Sequence, residues 1–285
     1  MAYGVINQFK VNPNFKCSIN ILRSLCCPKR IGESMNSKQY LTYAKKIVED
    51  AQKEGALLRL LGSVAFFLHC PTYGYFQKQA GRNFTDLDFA AYFAHSDKIR
   101  KTLESMGLVE DRETAVVYAR SRLIYDEPQV GLHVDVFFEK LDFCHPIFWK
   151  NRLELDSPTI PLAELLLEKM QIVEINEKDV IDTIMLIREH EINKSDNETI
   201  NERLIAELCA KDWGLWRTVT MNLEKVRNIT QEYKWLKPED RDVVNARIKQ
   251  LLGTIQLTPK SLGWKARDKI GDRVKWYKDV SEVSY

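Results

Sequence analysis

The pattern of apolar residues changes at Pro158, and this change limits the folds open to the 285-residue chain. Before Pro158, helical patterns alternate with short apolar runs typical of strands, which cover residues 56–61, 84–92, 116–125 and 132–139. After it, apolar residues recur every three or four positions in the segments 162–175, 178–190, 200–210, 215–233 and 240–252. We therefore predict an α/β (α+β) domain with a mixed sheet over 35–157, followed by a mainly α-helical domain over 158–285.

The parts of the chain between the predicted strands are also informative. The periodicity predicts helices over residues 37–54, 64–69 and 97–106. Residues 71–83 contain proline, two glycines and mostly polar side chains, which is typical of a loop. Residues 1–34 have no clear periodicity and are predicted to form a poorly ordered extension.

Charge is distributed unevenly along the chain. Residues 1–34 contain five Lys or Arg and one acid, residues 35–210 contain 21 and 29, and residues 211–285 contain 16 and 10. An acidic centre followed by a basic end suits a protein that binds metal ions and phosphates, although charged helices also vary in composition without any ligand.

The sequence favours a cytoplasmic protein with no membrane partner. Its longest apolar runs, such as residues 64–68, are far shorter than the roughly 20 residues that span a bilayer. We find no export signal near the N-terminus. The six cysteines form no CxxC pair, which argues against a zinc site and favours reduced thiols.

Three aspartates are expected to lie on one face of the predicted sheet. Asp86 and Asp88 are two residues apart in a strand, so their side chains point the same way, and Asp135 alternates with Val134 and Val136 in a later strand. Adjacent carboxylates repel each other unless a cation lies between them. Three of them suit Mg²⁺, or Mn²⁺ in its place, as used in phosphoryl and nucleotidyl transfer. The alternative for either strand alone is a solvated strand edge.

Gly62 and Ser63 stand where a predicted strand turns into a predicted helix. Glycine lets the backbone approach a phosphate closely, and the start of a helix favours an anion. The alternative is an ordinary tight turn.

Lys169 lies in the apolar stripe of the helix predicted over 162–175. A lysine there needs a carboxylate or a phosphate as partner, or its stem must reach solvent. If it binds phosphate, Lys169→Met is expected to weaken nucleotide binding and to stabilise the ligand-free protein. Asp179 and Asp182 share a face of the next helix; Asp179 also fits the first turn after an Asn176 cap, whereas Asp182 has no such explanation.

Taken in order, these motifs resemble the signature of the DNA polymerase β superfamily of nucleotidyltransferases. The match consists of Gly62-Ser63, Asp86-x-Asp88 and Asp135. Residues 165–173 and 178–184 resemble the lysine and paired-aspartate motifs of the abortive-infection toxin (AbiEii-like) branch and its uncharacterised bacterial relatives. The resemblance covers about residues 50–190. One departure is the gap of 22 residues between Ser63 and Asp86, longer than is usual, which includes Tyr73, Tyr75 and Phe76. These aromatics either lie over a base or belong to a surface insertion.

The resemblance implies a nucleotidyltransferase fold and a two-substrate site. Gly62 and Ser63 would hold the triphosphate of an NTP, Asp86 and Asp88 would hold Mg²⁺, and Lys169 would contact the nucleotide phosphates.

The other aspartates of the motifs are given roles around the acceptor by the same resemblance. Asp135 would be a metal ligand or the base that deprotonates the acceptor hydroxyl, while Asp179, in the nucleotide site, or Asp182 would assist the acceptor. The acceptor itself is left open among RNA or tRNA, a protein and a small molecule. Two other functions stay open: a non-catalytic nucleotide- or RNA-binding module on the same fold, and a structural or antitoxin-like partner.

Residues 260–278 contain seven Lys or Arg and two Asp, interleaved with Trp264, Trp276 and Tyr277. Cations that reach phosphates and aromatics that stack on bases are typical of sites for single-stranded nucleic acid, so this segment is a candidate site for an RNA acceptor. Alternatively, the two tryptophans anchor the segment to the helical domain.

Overall fold

The computed structural model of the chain describes residues 35–81, 84–118, 120–128 and 131–280. The extension predicted over 1–34 lies outside these residues, as do Cys17, Cys26 and Cys27. Within them, Cys70, Cys144 and Cys209 are buried free thiols, and no helix is long and apolar enough to span a membrane.

A five-stranded mixed sheet forms the first half of the fold. Its strands are β1 (Leu58–Leu61), β2 (Asp86–Ala91), β3 (Val109–Glu110), β4 (Arg122–Glu127) and β5 (Leu132–Phe138), in the spatial order β1-β2-β5-β4-β3. Strands β2 and β5 are parallel, and the other neighbours are antiparallel. The parallel register pairs Asp88 with Asp135, so the acidic residues of two distant segments become neighbours.

Five helices accompany the sheet: α1 (Ser37–Lys53), α2 (Gly62–His69), α3 (Tyr75–Gln79), α4 (Ser96–Ser105) and α5 (Arg112–Tyr118). Helix α1 begins at a capping box, in which the Asn36 side chain accepts the Gln39 N–H and the Gln39 side chain accepts the Asn36 N–H. Its buried residues, Tyr40, Ala44, Ile47, Val48 and Ala51, follow the predicted apolar stripe. The predictions for α1, α2 and α4 are confirmed to within about two residues.

Two predictions in this half were wrong in part. The loop predicted over 71–83 contains α3, which packs inward: Phe76 is buried, with its ring 5.2 Å from that of Trp235. The strand predicted over 116–125 begins only at Arg122, because α5 precedes it. Val116 and Val117 are exposed, so their β-branched side chains did not signal a buried strand.

The second half consists mainly of helices: α6 (Leu162–Met170), α7 (Glu177–Glu189), α8 (Glu202–Lys211), α9 (Trp213–Glu232), α10 (Pro238–Leu257) and α11 (Leu262–Asp268). Two short ladders, which the sequence did not predict, join β6 (Lys140–Asp142) to β7 (Pro146–Phe148) and β8 (Ile192–Asn193) to β9 (Ile200–Asn201). The helix predicted from residue 200 therefore begins at Glu202, where the Asn201 side chain accepts the N–H of Leu204.

The two halves share a core. One cluster of buried apolar side chains extends from Met35 to Ile255. Leu60 of β1 accepts a hydrogen bond from the Ile160 N–H and donates its own N–H to the carbonyl of Pro158. The change at Pro158 is thus a change in secondary structure within a continuous interior.

Candidate active site

Asp86, Asp88 and Asp135 project from one face of the sheet, as predicted from their alternation. Leu87 and Phe89, on the opposite face of β2, are completely buried. Burial, and then the carboxylates of Asp86 and Asp135, raise the pKa of Asp88 well above its usual range. The ligand-free fold therefore carries an electrostatic cost at this point, which a bound cation would relieve.

Gly62 begins α2 directly after β1 and approaches Asp88 closely. Its φ of +70° lies in the left-handed region that glycine adopts without strain. A Cβ on residue 62 would overlap Oδ2 of Asp88. The turn and the close approach both require glycine here.

We expect Gly62→Ala to lose stability and turnover together. The left-handed conformation alone costs an alanine about 1–2 kcal/mol, and the added methyl displaces the Asp88 carboxylate. Gly107→Ala is a matched control, since Gly107 has φ +90° and open space around it, so that only the conformational cost applies. Urea unfolding and a transfer assay on both variants separate the two effects. Wild-type turnover in Gly62→Ala would show that the position of Asp88 does not matter.

Glu168 is a central residue of the site that the sequence analysis missed. Its side chain is 5% exposed; Oε2 accepts the N–H of Gly62 at 3.0 Å, and Oε1 lies 3.1 Å from Nζ of Lys169. The N–H predicted to hold a phosphate thus binds a carboxylate of the chain itself. The signal was present in the sequence: Leu165 and Ile172 flank Glu168 at three and four residues, the same pattern that identified Lys169.

Lys169 is surrounded by acids in the folded protein. Its Nζ lies 3.1 Å from Glu168, 3.5 Å from Asp179 and 3.8 Å from Asp182, and 5.4 Å from the ring centroid of Phe66. The amine therefore meets carboxylates, as a buried charge requires. These contacts remove the reason for expecting Lys169→Met to stabilise the ligand-free protein, because the apolar stripe is not what surrounds the amine.

Asp179 and Asp182 occupy different environments. Asp179 forms a capping box with Asn176, in which each side chain accepts the other's N–H, and it also faces the cavity described below. Asp182 is completely buried, and its Oδ1 accepts a hydrogen bond of 2.6 Å from the side chain of Gln77 on α3. The same Gln77 nitrogen lies 3.3 Å from the Ser63 carbonyl, so Asp182 joins α7 to α3 and α2. Its position suits a structural role better than contact with an acceptor.

Asp135 forms ion pairs with two neighbours. Arg122 of β4 donates from Nε to Oδ1 at 2.8 Å and from Nη2 to Oδ2 at 2.6 Å, while Nε2 of His133 lies 3.4 Å from Oδ2. Burial alone would raise the pKa of Asp135, but His133 and Arg122 outweigh it and lower the pKa. In turn, Asp135 and then Asp126 raise the pKa of His133 to about 9 against the effect of burial.

A cavity of about 1220 Å³ brings most of these side chains together. Asp86, Asp88, Asp135, Lys169 and Asp179 line it, whereas the buried Gly62, Ser63 and Asp182 are not part of its described lining. Eight carboxylates face three Lys or Arg side chains and one histidine. Besides the four aspartates named above, these carboxylates are those of Glu168, Asp126, Glu174 and Asp279. The cavity is therefore strongly negative.

Two residues of the basic C-terminal segment, Tyr277 and Lys278, also line this cavity. Trp264 packs edge-on against Trp216 with ring centroids 4.9 Å apart, and Nε1 of Trp276 donates to the hydroxyl of Thr218 at 3.0 Å. These contacts support the anchoring interpretation for the two tryptophans. Base stacking by them is not favoured, since their rings are used in packing.

The residues of the cavity fit a divalent cation that brings phosphates with it. Within the described ranges, no group of three or more His, Cys, Asp or Glu side chains is arranged to hold a metal ion. Mg²⁺ commonly binds through only one or two carboxylates and takes its remaining ligands from substrate phosphates and water. Asp86 and Asp88 meet that requirement, and the crowding of Asp88 by acids favours a cation there.

Two comparisons of the sequence with known proteins found no match. No protein-family model matches the chain, and no curated protein sequence matches it.

Proposed function

We propose that the chain is a metal-dependent nucleotidyltransferase, related to the DNA polymerase β superfamily and resembling its AbiEii-like branch, that moves an NMP from an NTP to an acceptor hydroxyl. The observation that carries the proposal is the negative cavity, whose lining contains Asp86, Asp88 and six other carboxylates but only three Lys or Arg side chains. A triphosphate would be repelled from such a cavity unless cations accompanied it. A site that needs both metal and polyphosphate is what this transfer chemistry requires.

In the proposed reaction, the acceptor oxygen attacks the α-phosphorus in line. A new P–O bond forms, the bond from the α-phosphorus to the bridging oxygen breaks, pyrophosphate leaves, and the hydroxyl proton passes to a base. Bound Mg²⁺ would neutralise the charge that develops on the phosphate oxygens. Asp86 and Asp88 would hold the cation, and Lys169 would orient the phosphates.

Asp135 is a weak candidate for the base. Its pKa is lowered by His133 and Arg122 despite burial, so it accepts a proton poorly while these contacts last. In the ligand-free protein it balances the charge of Arg122 beside the proposed metal site.

Labelled substrates test the proposal. Purified protein is incubated with α-labelled NTPs and Mg²⁺ together with RNA, protein and small-molecule fractions, and label transfer and pyrophosphate release are measured. Transfer into one fraction supports the proposal and identifies the acceptor. Binding of NTP with no transfer would favour a non-catalytic module, and no metal-dependent binding at all would favour a structural or antitoxin-like partner.

An RNA acceptor would meet the exposed cations of the C-terminal segment. Lys265, Lys269 and Arg273 are exposed and form no ion pair within the described residues, whereas Arg217 and Lys278 pair with acids. These three cations, rather than the packed rings of Trp264 and Trp276, would contact the RNA.

We expect the triple change of Lys265, Lys269 and Arg273 to glutamine to weaken RNA binding and to lower the slope of log K against log salt by about two. NTP affinity and melting temperature should stay unchanged, because none of these side chains supports the fold. Filter binding at several salt concentrations measures the slope. The control replaces three other exposed lysines, Lys38, Lys45 and Lys249, with glutamine. An equal loss of RNA affinity in both triple variants would exclude a specific RNA surface.

A further inference from the structure

Arg122 lies at the boundary between the acidic strands and the open cavity. Its guanidinium donates hydrogen bonds to both carboxylate oxygens of Asp135. Its Cζ lies 4.9 Å from the ring centroid of Phe137, which also lines the cavity. The side chain is 15% exposed and that of Asp135 is 6% exposed. Arg122 is thus a partly buried cation that pairs with the carboxylate of Asp135.

That carboxylate lies beside the proposed metal site. Asp135 pairs in register with Asp88 on the neighbouring strand, so a cation bound at Asp88 attracts both oxygens that now bind Arg122. A divalent cation beside Asp135 attracts this carboxylate and repels the guanidinium, so the two cations compete for the same two oxygens. Metal binding therefore weakens the Arg122 pair.

A guanidinium that loses its carboxylate in a partly buried wall needs another anion. The triphosphate that accompanies the metal supplies one, and its paired oxygens match the planar fork of arginine as well as a carboxylate does. After the exchange every charge still has a partner: the metal ion pairs with Asp135, and the phosphate pairs with Arg122.

We infer that Arg122 is a phosphate-binding residue of the nucleotide site, held by Asp135 until a divalent cation takes that carboxylate. This inference rests on the proposed function for the identity of the polyphosphate ligand. Metal and polyphosphate binding then depend on each other, because the metal ion frees Arg122 for the polyphosphate and the polyphosphate frees Asp135 for the metal ion.

The pair Arg188–Asp240 provides a matched control. Arg188 donates to Asp240 at 2.7 Å, the two side chains are 20% and 6% exposed, and neither lines the cavity. The probes are Mn²⁺ alone and inorganic tripolyphosphate, with and without Mn²⁺, titrated by calorimetry; thermal melting confirms that each variant is folded.

Opposite shifts in one variant are the expected signature. In Arg122→Gln, Mn²⁺ alone should bind about tenfold more tightly, because its competitor for Asp135 is gone, while tripolyphosphate with Mn²⁺ should bind about tenfold more weakly. In Asp135→Asn, metal-free tripolyphosphate should bind about tenfold more tightly, since Arg122 is released, and Mn²⁺ more weakly. Arg188→Gln and Asp240→Asn should shift none of these affinities.

Other outcomes overturn the inference. If both affinities fall in Arg122→Gln, the arginine is structural, and if both rise, it only blocks the site. Should Arg122→Gln fail to fold, Asp135→Asn decides alone, and unchanged binding of metal-free tripolyphosphate rejects the inference. Neither probe is a substrate, so the opposite shifts in Mn²⁺ and tripolyphosphate affinity can appear in a protein that transfers no nucleotide. NTP turnover without these shifts would reject the inference and leave the proposed function standing.

Discussion

Replacing Asp88 with asparagine is expected to lower the rate of nucleotidyl transfer by about a thousandfold or more, corresponding to about 4 kcal/mol of transition-state stabilisation. The variant loses one of the two carboxylates that would hold the cation. Asp86→Asn should behave similarly. Glu174→Gln is the control, since Glu174 lies in the same cavity but away from the strand pair, and its rate should change little.

Asp88→Asn should also stabilise the metal-free protein at neutral pH. Burial and neighbouring acids raise the pKa of Asp88 in the folded state. The contribution of this carboxyl to the stability of the folded protein is therefore fully present below the ordinary aspartate pKa. It is lost as the pH rises through the folded-state pKa. Asparagine has no charge and avoids that loss. Melting temperatures measured without metal between acidic and neutral pH should therefore diverge as the pH rises, with Asp88→Asn the more stable. Coinciding curves at neutral pH would mean that the carboxylate is not destabilised by its surroundings.

Lys169→Met is expected to reduce the free energy of unfolding by about 3–5 kcal/mol and to weaken NTP binding. The substitution leaves Glu168 and Asp182, which are 5% and 0% exposed, without their shared cation. This reverses the stability effect expected from the sequence, where the lysine had apolar neighbours. Urea unfolding measures the change, and nucleotide titration measures the binding.

Two further variants isolate the cause. Lys101→Met removes an exposed pair with Glu54 and should cost no more than about 1 kcal/mol. Adding Glu168→Gln to Lys169→Met removes one of the abandoned charges and should recover part of the loss. If Lys169→Met is as stable as the wild type, the three surrounding carboxylates do not depend on the lysine.

The strand acids were predictable because their pattern is local. Alternation along a strand placed Asp86 and Asp88 on one face, and the register of β2 with β5 confirms that Asp135 joins them there. The capping role of Asp179 was also readable from its spacing to Asn176. Their chemical roles remain predictions.

The contacts of Arg122 and Glu168 could not be predicted from the sequence, because they depend on pairing between distant segments. Arg122 meets Asp135 only because β4 lies antiparallel to β5 in one particular register, and a shift by one residue would turn it to the other face. Glu168 gains its partner Gly62 from 106 positions away in the sequence. The exposed Val116 and Val117 show the converse: residue types suited to strands lie in a helix where burial does not govern the local structure.

The central claim is that Asp86 and Asp88 hold a cation for nucleotidyl transfer, and Mg²⁺-dependent transfer from α-labelled NTP tests it most directly. The assay compares wild type, Asp88→Asn and Glu174→Gln, each with Mg²⁺ and with excess chelator, in the presence of the fractionated acceptors. We predict labelled product and equimolar pyrophosphate from wild type and Glu174→Gln with Mg²⁺ only, and none from Asp88→Asn. Transfer by Asp88→Asn at the wild-type rate, or transfer that persists in chelator, would contradict the account.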